Sequence, residues 1–386
     1  MRFQKAMRDN SVQGNRPTSR VRRPLQQLKI QRLAYVMVVG DFSMKKHDHR
    51  NPTILDVARV ARVGRMTVSR VINDSPAVRP STRRRVLSAI AQLGYQQNEA
   101  ARMLQGKRAK MIGLIVPDLS DAFFASCAHT VQHIAHDHGY MTLVASSERD
   151  IEAEVAHAQL MATRKLSGIL VVTSTQGGDE RLSRLQKTGL PIVAFDRPIE
   201  GIQTDCVVVE NRQGAEMASQ HLIEHGHRNI ACIGYDETTY TTMERVGGYL
   251  NVMRAANHKP NVVVDLDTFE KLRRWVAKAC KGSGRTTAIF SLNAVLSIWI
   301  LRALAELGLS VPDDVALIGF DDFELAPLIS TPLTTVAQSP VAIASRAITL
   351  LLDRINRAGT QTDVAKIVLP MTLIVRNSCG CGRPQG

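Results

Sequence analysis

Residues 53–104 constrain the fold more than any other part of the chain, because helical periodicity and many arginines coincide there. Thr53 and Asp56 form a capping-box-like start, and the apolar residues after them recur at helical spacing. A second short helix is predicted at about 65–72, after a short link, and a third at about 80–94. Two short helices joined in this way are typical of a helix-turn-helix, whose second helix enters the major groove of DNA.

The predicted second and third helices each separate into an apolar and a polar face. The side chains predicted to be buried on them are Val68, Val71, Ile72, Val86, Ile90 and Leu93. Those predicted to remain outside on the second helix are Arg65, Met66, Thr67, Ser69 and Arg70. The alternative interpretation is a plain three-helix bundle whose arginines are merely solvated.

Short runs within this stretch match a known family in order and spacing. They are Asp56-Val57-Ala58, residues 67–73, Thr82-Arg83, Leu93-Gly94-Tyr95, Asn98 and residues 101–104. The segment resembles the DNA-binding headpiece and hinge of the LacI/GalR family of bacterial transcription regulators. The resemblance implies a small all-α helix-turn-helix headpiece at 51–97. A homodimer of such headpieces would read palindromic, double-stranded operator DNA.

The same resemblance implies DNA contacts residue by residue. The expected DNA-binding residues are Thr53, Arg62, Arg65, Met66, Thr67, Ser69, Arg70, Asn73, Arg83, Asn98, Ala101 and Leu104. Among them, Arg65, Met66 and Arg70 are expected to face bases. The apolar side chain of Met66 is expected to contact an apolar group of a base, such as a thymine methyl. Arg62 and Arg83 are expected to hold phosphates.

Three departures from the family pattern fall at helix boundaries. Arg62 stands where the family usually has a turn glycine, so a positive φ there costs about 1 kcal/mol. Gly64 and Arg79 replace serines that usually cap the second and third helices. Each departure removes a little local stability without threatening the fold.

Residues 98–110 are predicted to be a hinge helix and linker. In the family, the corresponding helix folds only on operator DNA. The leucine matching Leu104 inserts into the minor groove, where the energy spent on unstacking bases is offset because the bent duplex contacts more of the protein. The helix is marginal in isolation, because Gly106 and nearby cations disfavour it. The alternative is a flexible tether.

The positive charge is concentrated at the N-terminal end. The formal net charge is +14, yet residues 1–110 hold 24 Lys and Arg against 6 Asp and Glu, and residues 111–386 are slightly acidic. This asymmetry indicates a nucleic-acid-binding unit joined to an ordinary domain. Residues 1–50 are predicted to be a disordered basic extension. Met44 lies just before the helical stretch, so the alternative is that translation begins at Met44 and the start codon is assigned too far upstream. Arg22-Arg23 faintly resembles an export signal, but no adequate apolar region follows.

From residue 111 onwards, strands and helices alternate. The apolar run 112–116 has the length of a buried parallel strand, and the alternation continues to about residue 319. This order predicts an α/β domain at 111–378 with two parallel sheets covered by helices. The two-lobed arrangement resembles the periplasmic-binding-protein architecture, and the resemblance implies an effector-binding and dimerisation domain.

Candidate effector residues lie at the ends of predicted strands or the starts of helices, because ligands in such folds bind at the carboxyl ends of the strands. They are Phe123, Phe124, Asp196, Arg245, Asn293 and Asp321. The matching family positions hydrogen-bond sugar hydroxyls, or a base or carboxylate in relatives, so the resemblance implies a small-molecule effector, for which a sugar or sugar derivative is expected. Ala294 replaces a usual aspartate, which weakens polar recognition there. Trp299 either fills the core or narrows the pocket.

Enzymatic and metal-binding interpretations find little support in the sequence. It has no Gly-x-Ser-x-Gly elbow, P-loop or Cys-x-x-Cys pair. Asp196, Asp321 and Asp322 are the conceivable glycosidase carboxylates, but nothing in the sequence places them across a bond. Three helically spaced histidines lie opposite an apolar helix face and are predicted to be solvated rather than metal ligands. These are His129, His133 and His136.

The cysteines do not suggest a disulfide framework. Four are scattered singly in apolar contexts and are predicted to fill the core of a protein in a reducing compartment. They are Cys127, Cys206, Cys232 and Cys280. Cys379 and Cys381 fall in residues 379–386, predicted to be a frayed tail, with chelation or oxidation as the alternative. No metal and no cofactor is predicted.

The sequence thus predicts a cytoplasmic, homodimeric, DNA-binding repressor that is not an enzyme and does not span a membrane. Effector binding is expected to close or reorient the lobes, change the spacing of the paired hinges and so alter operator affinity. The alternative class is a sugar receptor of the transport type with no DNA role. Such a receptor would need an export signal where this chain has a basic helix-turn-helix.

Overall fold

The computed structural model describes residues 51–95, 108–174, 180–357 and 363–381. The chain divides into two compact units between Gln97 and Asn98. The extension predicted at 1–50, most of the hinge segment predicted at 98–110, and the predicted DNA contacts Asn98, Ala101 and Leu104 lie outside the described residues.

The smaller unit contains three helices in its described part, as predicted. They are α1 (Ile54–Ala61), α2 (Arg65–Ile72) and α3 (Pro80–Leu93). Their shared core consists of Val57, Ala58, Ala61, Val68, Val71, Val86 and Ala89. Ile72, Ile90 and Leu93 were predicted to be buried but are only partly so, because three short helices cannot enclose large side chains at the margins of their faces. The small Ala89 is buried on α3 instead.

The ends of these helices carry the predicted cap and the three departures. The Thr53 hydroxyl accepts from the Asp56 N–H at 3.4 Å while the Asp56 carboxylate accepts from the Thr53 N–H at 2.9 Å, which completes a capping box. Arg62 ends α1 in the left-handed region with φ 52°. Gly64 and Arg79 precede α2 and α3 without a side-chain cap.

Replacing Arg62 with glycine is expected to stabilise the smaller unit by about 1 kcal/mol, because glycine adopts a positive φ without a Cβ clash. Hydrogen exchange of the α1 and α2 amides, followed by mass spectrometry, should slow about fivefold. Arg59→Gly, in the last turn of the same helix, is the matched control and should destabilise by roughly 0.5–1 kcal/mol. Equal effects of the two changes would contradict strain at Arg62.

The larger unit has two lobes, each a sheet covered by helices. The first lobe begins with β1 (Ala109–Val116), α4 (Ala122–Asp137), β2 (Met141–Ser146), α5 (Ile151–Thr163), β3 (Leu166–Val171), α6 (Glu180–Lys187), β4 (Ile192–Phe195) and β5 (Asp205–Val209). The second lobe continues with α7 (Asn211–Glu224), β6 (Ile230–Ile233), α8 (Tyr240–Ala255), β7 (Asn261–Val263), α9 (Phe269–Ala279), β8 (Ala288–Ser291), α10 (Ala294–Glu306), β9 (Ala316–Phe320) and β10 (Thr334–Ala337). The chain then crosses back and forth once more through α11 (Pro340–Asn356), β11 (Lys366–Leu369) and β12 (Thr372–Ile374).

The two sheets have equivalent strand orders, β11-β5-β4-β3-β1-β2 and β12-β10-β9-β8-β6-β7. The prediction of two parallel sheets is confirmed except at β12, which pairs antiparallel with β10. The cause is the path of the chain. Strand β11 runs parallel to β5 and ends close to the point where the chain crosses between the lobes. Strand β12 begins directly after this crossing, so it runs away from the crossing and antiparallel to β10. Carboxyl ends of the parallel strands of both lobes therefore meet at one cleft.

The prediction of a frayed tail at 379–386 is wrong for the described residues 379–381, which pack against the second lobe. The Ser378 hydroxyl donates to the Leu317 carbonyl at 2.6 Å and accepts from the Thr334 N–H at 2.8 Å. Cys379 follows with no exposed surface. These bonds attach the chain after β12 to β9 and β10, and the polar composition of the segment did not indicate them.

No helix in the described ranges has both the length and the apolar character that a membrane crossing requires.

Candidate functional site

The predicted base-reading side chains of α2 face solvent. Arg65, Met66 and Arg70 are exposed, and Met66 exposes 65% of its surface. Thr67 and Ser69 are half-buried beside them. The described headpiece, residues 51–95, carries eight arginines against two aspartates. Exposed cations and an exposed thioether suit phosphates, guanines and thymine methyls.

The other predicted DNA contacts in the described headpiece have roles within the fold. Asn73 Nδ2 donates to the Ser69 carbonyl at 2.8 Å and so caps the end of α2. Arg83 pairs with Asp74 and donates to the Ser75 carbonyl at 2.7 Å, which fastens the link between α2 and α3. The Thr53 hydroxyl and N–H are engaged in the capping box, and Arg62 is exposed at the end of α1. Their contacts with DNA stay predictions.

The larger unit encloses a cavity of about 140 Å³ between its lobes. All six predicted effector residues line it, three from each lobe. They are Phe123, Phe124 and Asp196 from the first lobe and Arg245, Asn293 and Asp321 from the second. The strand-end argument thus brought together residues that lie far apart in sequence.

Asp196 and Asp321 occupy equivalent positions in the two lobes. Each follows a strand that ends in phenylalanine, β4 or β9, and each has a left-handed backbone, with φ 64° and 70°. Each N–H donates at 2.9 Å to a carbonyl of the neighbouring strand, that of Val207 or Val336. Aspartate tolerates this conformation better than most residues, and such backbone strain concentrates at functional sites.

Arg245 on α8 joins the elements that line the cavity in the second lobe. Its side chain is almost fully buried, and its Nε donates to Asn211 Oδ1 at 2.8 Å. One terminal nitrogen donates to the Leu292 carbonyl at 2.5 Å and lies 3.7 Å from Asp321 Oδ2. The guanidinium also lies 3.6 Å from the centre of the Phe320 ring. Burial lowers the pKa of Arg245, and the carboxylate of Asp321 opposes that change.

Two carboxyl groups of the cleft, those of Asp321 and Asp121, have a raised pKa. Burial raises the pKa of Asp321 from 3.8 to about 6, although Arg245 and a hydrogen bond from Gln338 lower it. Asp121 and Asp196 raise it further by charge repulsion. Burial likewise raises the pKa of Asp121, whose carboxylate accepts from the Phe123 N–H at 2.9 Å and caps α4.

Several cavity-lining residues were not predicted from the sequence. They include Asp121, Arg149, Ser174, Arg197, Tyr235 and Gln338. Arg149 lies over the Tyr235 ring at 5.3 Å and so links the two lobes. Tyr235 follows β6, so a consistent use of the strand-end rule would have found it, whereas Arg149 lies in a left-handed turn after β2.

Trp299 lies outside the cavity lining and fills the core of the second lobe. Its ring packs edge-on against Tyr235 at 5.6 Å and against Phe269 at 6.4 Å. It therefore supports Tyr235 from behind. Asp322 is likewise absent from the lining and does not pair with Asp321 there, because its carboxylate binds Arg376 at 2.7 and 2.9 Å. His129, His133 and His136 are exposed, as predicted.

Each of the two units matches a known protein family. Residues 53–98 match the description "Bacterial regulatory proteins, lacI family", and residues 219–379 match "Periplasmic binding protein-like domain". The HTH-type transcriptional regulator DegA of Bacillus subtilis is 34% identical, over 84% of this chain and 97% of that protein. This chain belongs to the LacI family. Like its relatives it is a DNA-binding transcriptional regulator and not an enzyme.

Other LacI-family relatives extend the comparison. The HTH-type transcriptional repressor PurR of Pasteurella multocida is 32% identical, over 84% of this chain and 98% of that protein. A complex of the transcriptional regulator CelR with cellobiose is 30% identical and superposes with a TM-score of 0.60, over 85% of this chain and 100% of that one. A Lac repressor dimer bound to operator and an anti-inducer is 22% identical with a TM-score of 0.73, over 86% and 99%, and supports the fold.

Proposed function

We propose that this LacI-family chain is a repressor whose operator affinity is set by a sugar or sugar derivative bound in the interlobe cleft. The observation that carries the proposal is the convergence of all six predicted effector residues on one cavity. Because it acts on operator DNA in a bacterium, the chain works in the cytoplasm.

The chemistry of the cleft suits an uncharged, polyhydroxylated ligand. Its lining contains four carboxylates and three guanidiniums, so their formal charges nearly cancel. They belong to Asp121, Asp196, Asp236, Asp321, Arg149, Arg197 and Arg245. Carboxylate oxygens accept and guanidinium nitrogens donate, so adjacent hydroxyls of a sugar can be bound in pairs. The Phe123 and Tyr235 rings supply the apolar surface on which a sugar face packs.

The size of the cavity narrows the ligand class. At about 140 Å³ it is smaller than the roughly 300–1,000 Å³ typical of small-molecule pockets. A monosaccharide or its derivative therefore fits better than a disaccharide, even though the relative CelR is described with cellobiose.

Operator binding and its control by sugar can be measured together. Fluorescence anisotropy of the protein with its own upstream DNA, over a salt series and with a panel of monosaccharides, should give specific binding well above that to scrambled DNA. One sugar should shift the affinity. Equal, weak binding to every DNA sequence would contradict a sequence-specific regulator, and unchanged operator binding across the whole panel would contradict the proposed effector class.

The exposed thioether of Met66 is expected to read a thymine methyl. Met66→Ser should weaken operator binding by about 1 kcal/mol, roughly fivefold, and leave binding to scrambled DNA unchanged. Arg84→Ala on α3 is the matched control, because a phosphate contact there would weaken both kinds of DNA alike and reduce the salt dependence. Equal losses on operator and scrambled DNA for Met66→Ser would rule out base reading.

We also propose that the chain dimerises through the edge strand β2. Met141, Leu143 and Leu160 expose 66%, 38% and 52% of their surfaces at this edge of the first sheet. An exposed apolar set beside an edge strand suits a second copy of the chain, and two headpieces are needed to read a palindrome. This proposal places the partner on β2 rather than on β11, the opposite edge of the sheet.

Leu143→Arg should convert the dimer to a monomer in sedimentation velocity, because each copy would then bring a charge into the apolar interface. Operator affinity should fall with it, since a monomer reads only a half-site. Val368→Arg on β11 alters an apolar residue that is at least as exposed, and should leave the dimer intact. Dissociation by Val368→Arg alone would place the interface elsewhere.

A further inference from the structure

Two thiols and one imidazole converge away from the cleft. His221, in the last turn of α7, has its Nε2 2.8 Å from the Cys381 sulfur, and the Cys379 sulfur lies 2.6 Å from that of Cys381. The three potential ligand atoms all lie within 4.8 Å of one another. Neither the DNA-reading helix nor the effector cleft uses these side chains.

The backbone holds the first sulfur in place independently of any ligand. Cys379 is fully buried, and its sulfur accepts from the Thr334 hydroxyl at 3.2 Å. The preceding Ser378 is bonded to both β9 and β10 as described above. Gly380 then turns the chain at φ 82°, which places the second cysteine beside the first. Cys381 keeps part of its surface exposed.

We propose that His221, Cys379 and Cys381 bind a thiophilic divalent cation of the Zn²⁺ type. Thiolates and imidazole are the ligands that zinc prefers, and water can complete the tetrahedron at the exposed side of Cys381. Zinc–ligand bonds of about 2.0–2.3 Å separate tetrahedral ligand atoms by about 3.5–3.8 Å. The Cys381 side chain therefore moves outward by about 1 Å on binding, towards the part of its surface that is exposed.

The binding reaction balances in charge. Each thiol loses its proton to solvent as its sulfur bonds to the metal, so two protons are released for each ion bound. The two thiolates, the neutral imidazole and the divalent cation sum to zero charge, which permits a half-buried site. A disulfide between Cys379 and Cys381 would leave the imidazole without a role, whereas a cation uses all three groups. The ion would fasten α7 to the C-terminal segment.

Cobalt titration tests this site on the full chain, treated with chelator and kept reduced. One equivalent of Co²⁺ should bind with tetrahedral d–d bands and thiolate-to-cobalt charge-transfer absorption, and Zn²⁺ should displace it. Cys381→Ser and His221→Ala should each weaken binding beyond the roughly 10–100-fold that loss of an outer-shell partner costs. Cys280→Ala and His129→Ala are the matched controls and should bind cobalt like the unaltered chain.

Zn²⁺ should also raise the melting temperature of the unaltered chain and not that of Cys381→Ser, whose folding is verified by circular dichroism. The proposal would be wrong if Cys381→Ser and His221→Ala both bound cobalt as tightly as the unaltered chain. It would also be wrong if the bound cobalt showed no thiolate-to-cobalt charge-transfer absorption. Failure of the reduced chain to take up either metal would overturn it too. If the cysteines then lost two hydrogens on oxidation, the cluster would be a disulfide instead.

Discussion

Replacing Arg245 with methionine should lower the free energy of unfolding by about 3–5 kcal/mol, because it removes one partner of a buried ion pair. The change leaves the Asp321 carboxylate, the Asn211 amide oxygen and the Leu292 carbonyl without the guanidinium that they now share. It also removes the cation from the face of Phe320. Urea unfolding followed by circular dichroism measures the loss.

Arg254→Met is the matched control for this prediction. Arg254 is exposed near the end of the same helix, α8, so its replacement should change stability by no more than about 0.5 kcal/mol. The double variant Arg245→Met with Asp321→Asn should recover part of the loss, since no uncompensated charge remains. A cycle of the four proteins should give a coupling energy of about 0.5–3 kcal/mol. Equal stabilities of Arg245→Met and Arg254→Met would contradict the structural role of the pair.

The cleft was predictable from sequence where its residues stand at the ends of regular strands. Asp196 and Asp321 follow apolar runs long enough to identify as strands, and parallel topology then forces those ends together. Arg149 was missed because its position depends on a left-handed turn after β2, with φ 63°. Periodicity reports which face of an element is apolar and carries no information on such a turn.

The elements after residue 319 were not predicted from the sequence, and the reason is different. The strand and helix alternation identified from the sequence ended near residue 319, and α11, β11 and β12 were not anticipated. These elements cross back between the lobes, so their partners lie far away in sequence. Asp205 on β5, for example, binds Arg354 of α11 at 2.6 and 2.7 Å. Ser378 and Cys379 are held by hydrogen bonds to β9 and β10, which leave no hydrophobic pattern to detect.

The raised pKa of Asp321 predicts that this group stabilises the fold more strongly in acid. The carboxyl has a pKa of about 6 in the folded chain and its ordinary value of 3.8 when unfolded. Between these values the folded chain keeps a proton that the unfolded chain releases. Its stabilising contribution is therefore complete below about pH 4 and is lost as pH rises through about 6. A shift of about two pKa units corresponds to about 3 kcal/mol.

Asp321→Asn removes this titration, so the difference in unfolding free energy between the variant and the unaltered chain should change by about 3 kcal/mol from pH 4 to pH 7.5. Asp322→Asn is the control, and it should leave the difference nearly unchanged between about pH 4 and pH 7.5, because the contribution of Asp322 is lost only below the ordinary pKa of 3.8. The Asp322 carboxyl is partly buried, but hydrogen bonds from Arg376 and Thr335 outweigh burial and lower its pKa. Its stabilising contribution is therefore present above its ordinary pKa and lost as pH falls. If both variants shifted in the same direction with pH, the balance between burial and pairing inferred for Asp321 would be wrong.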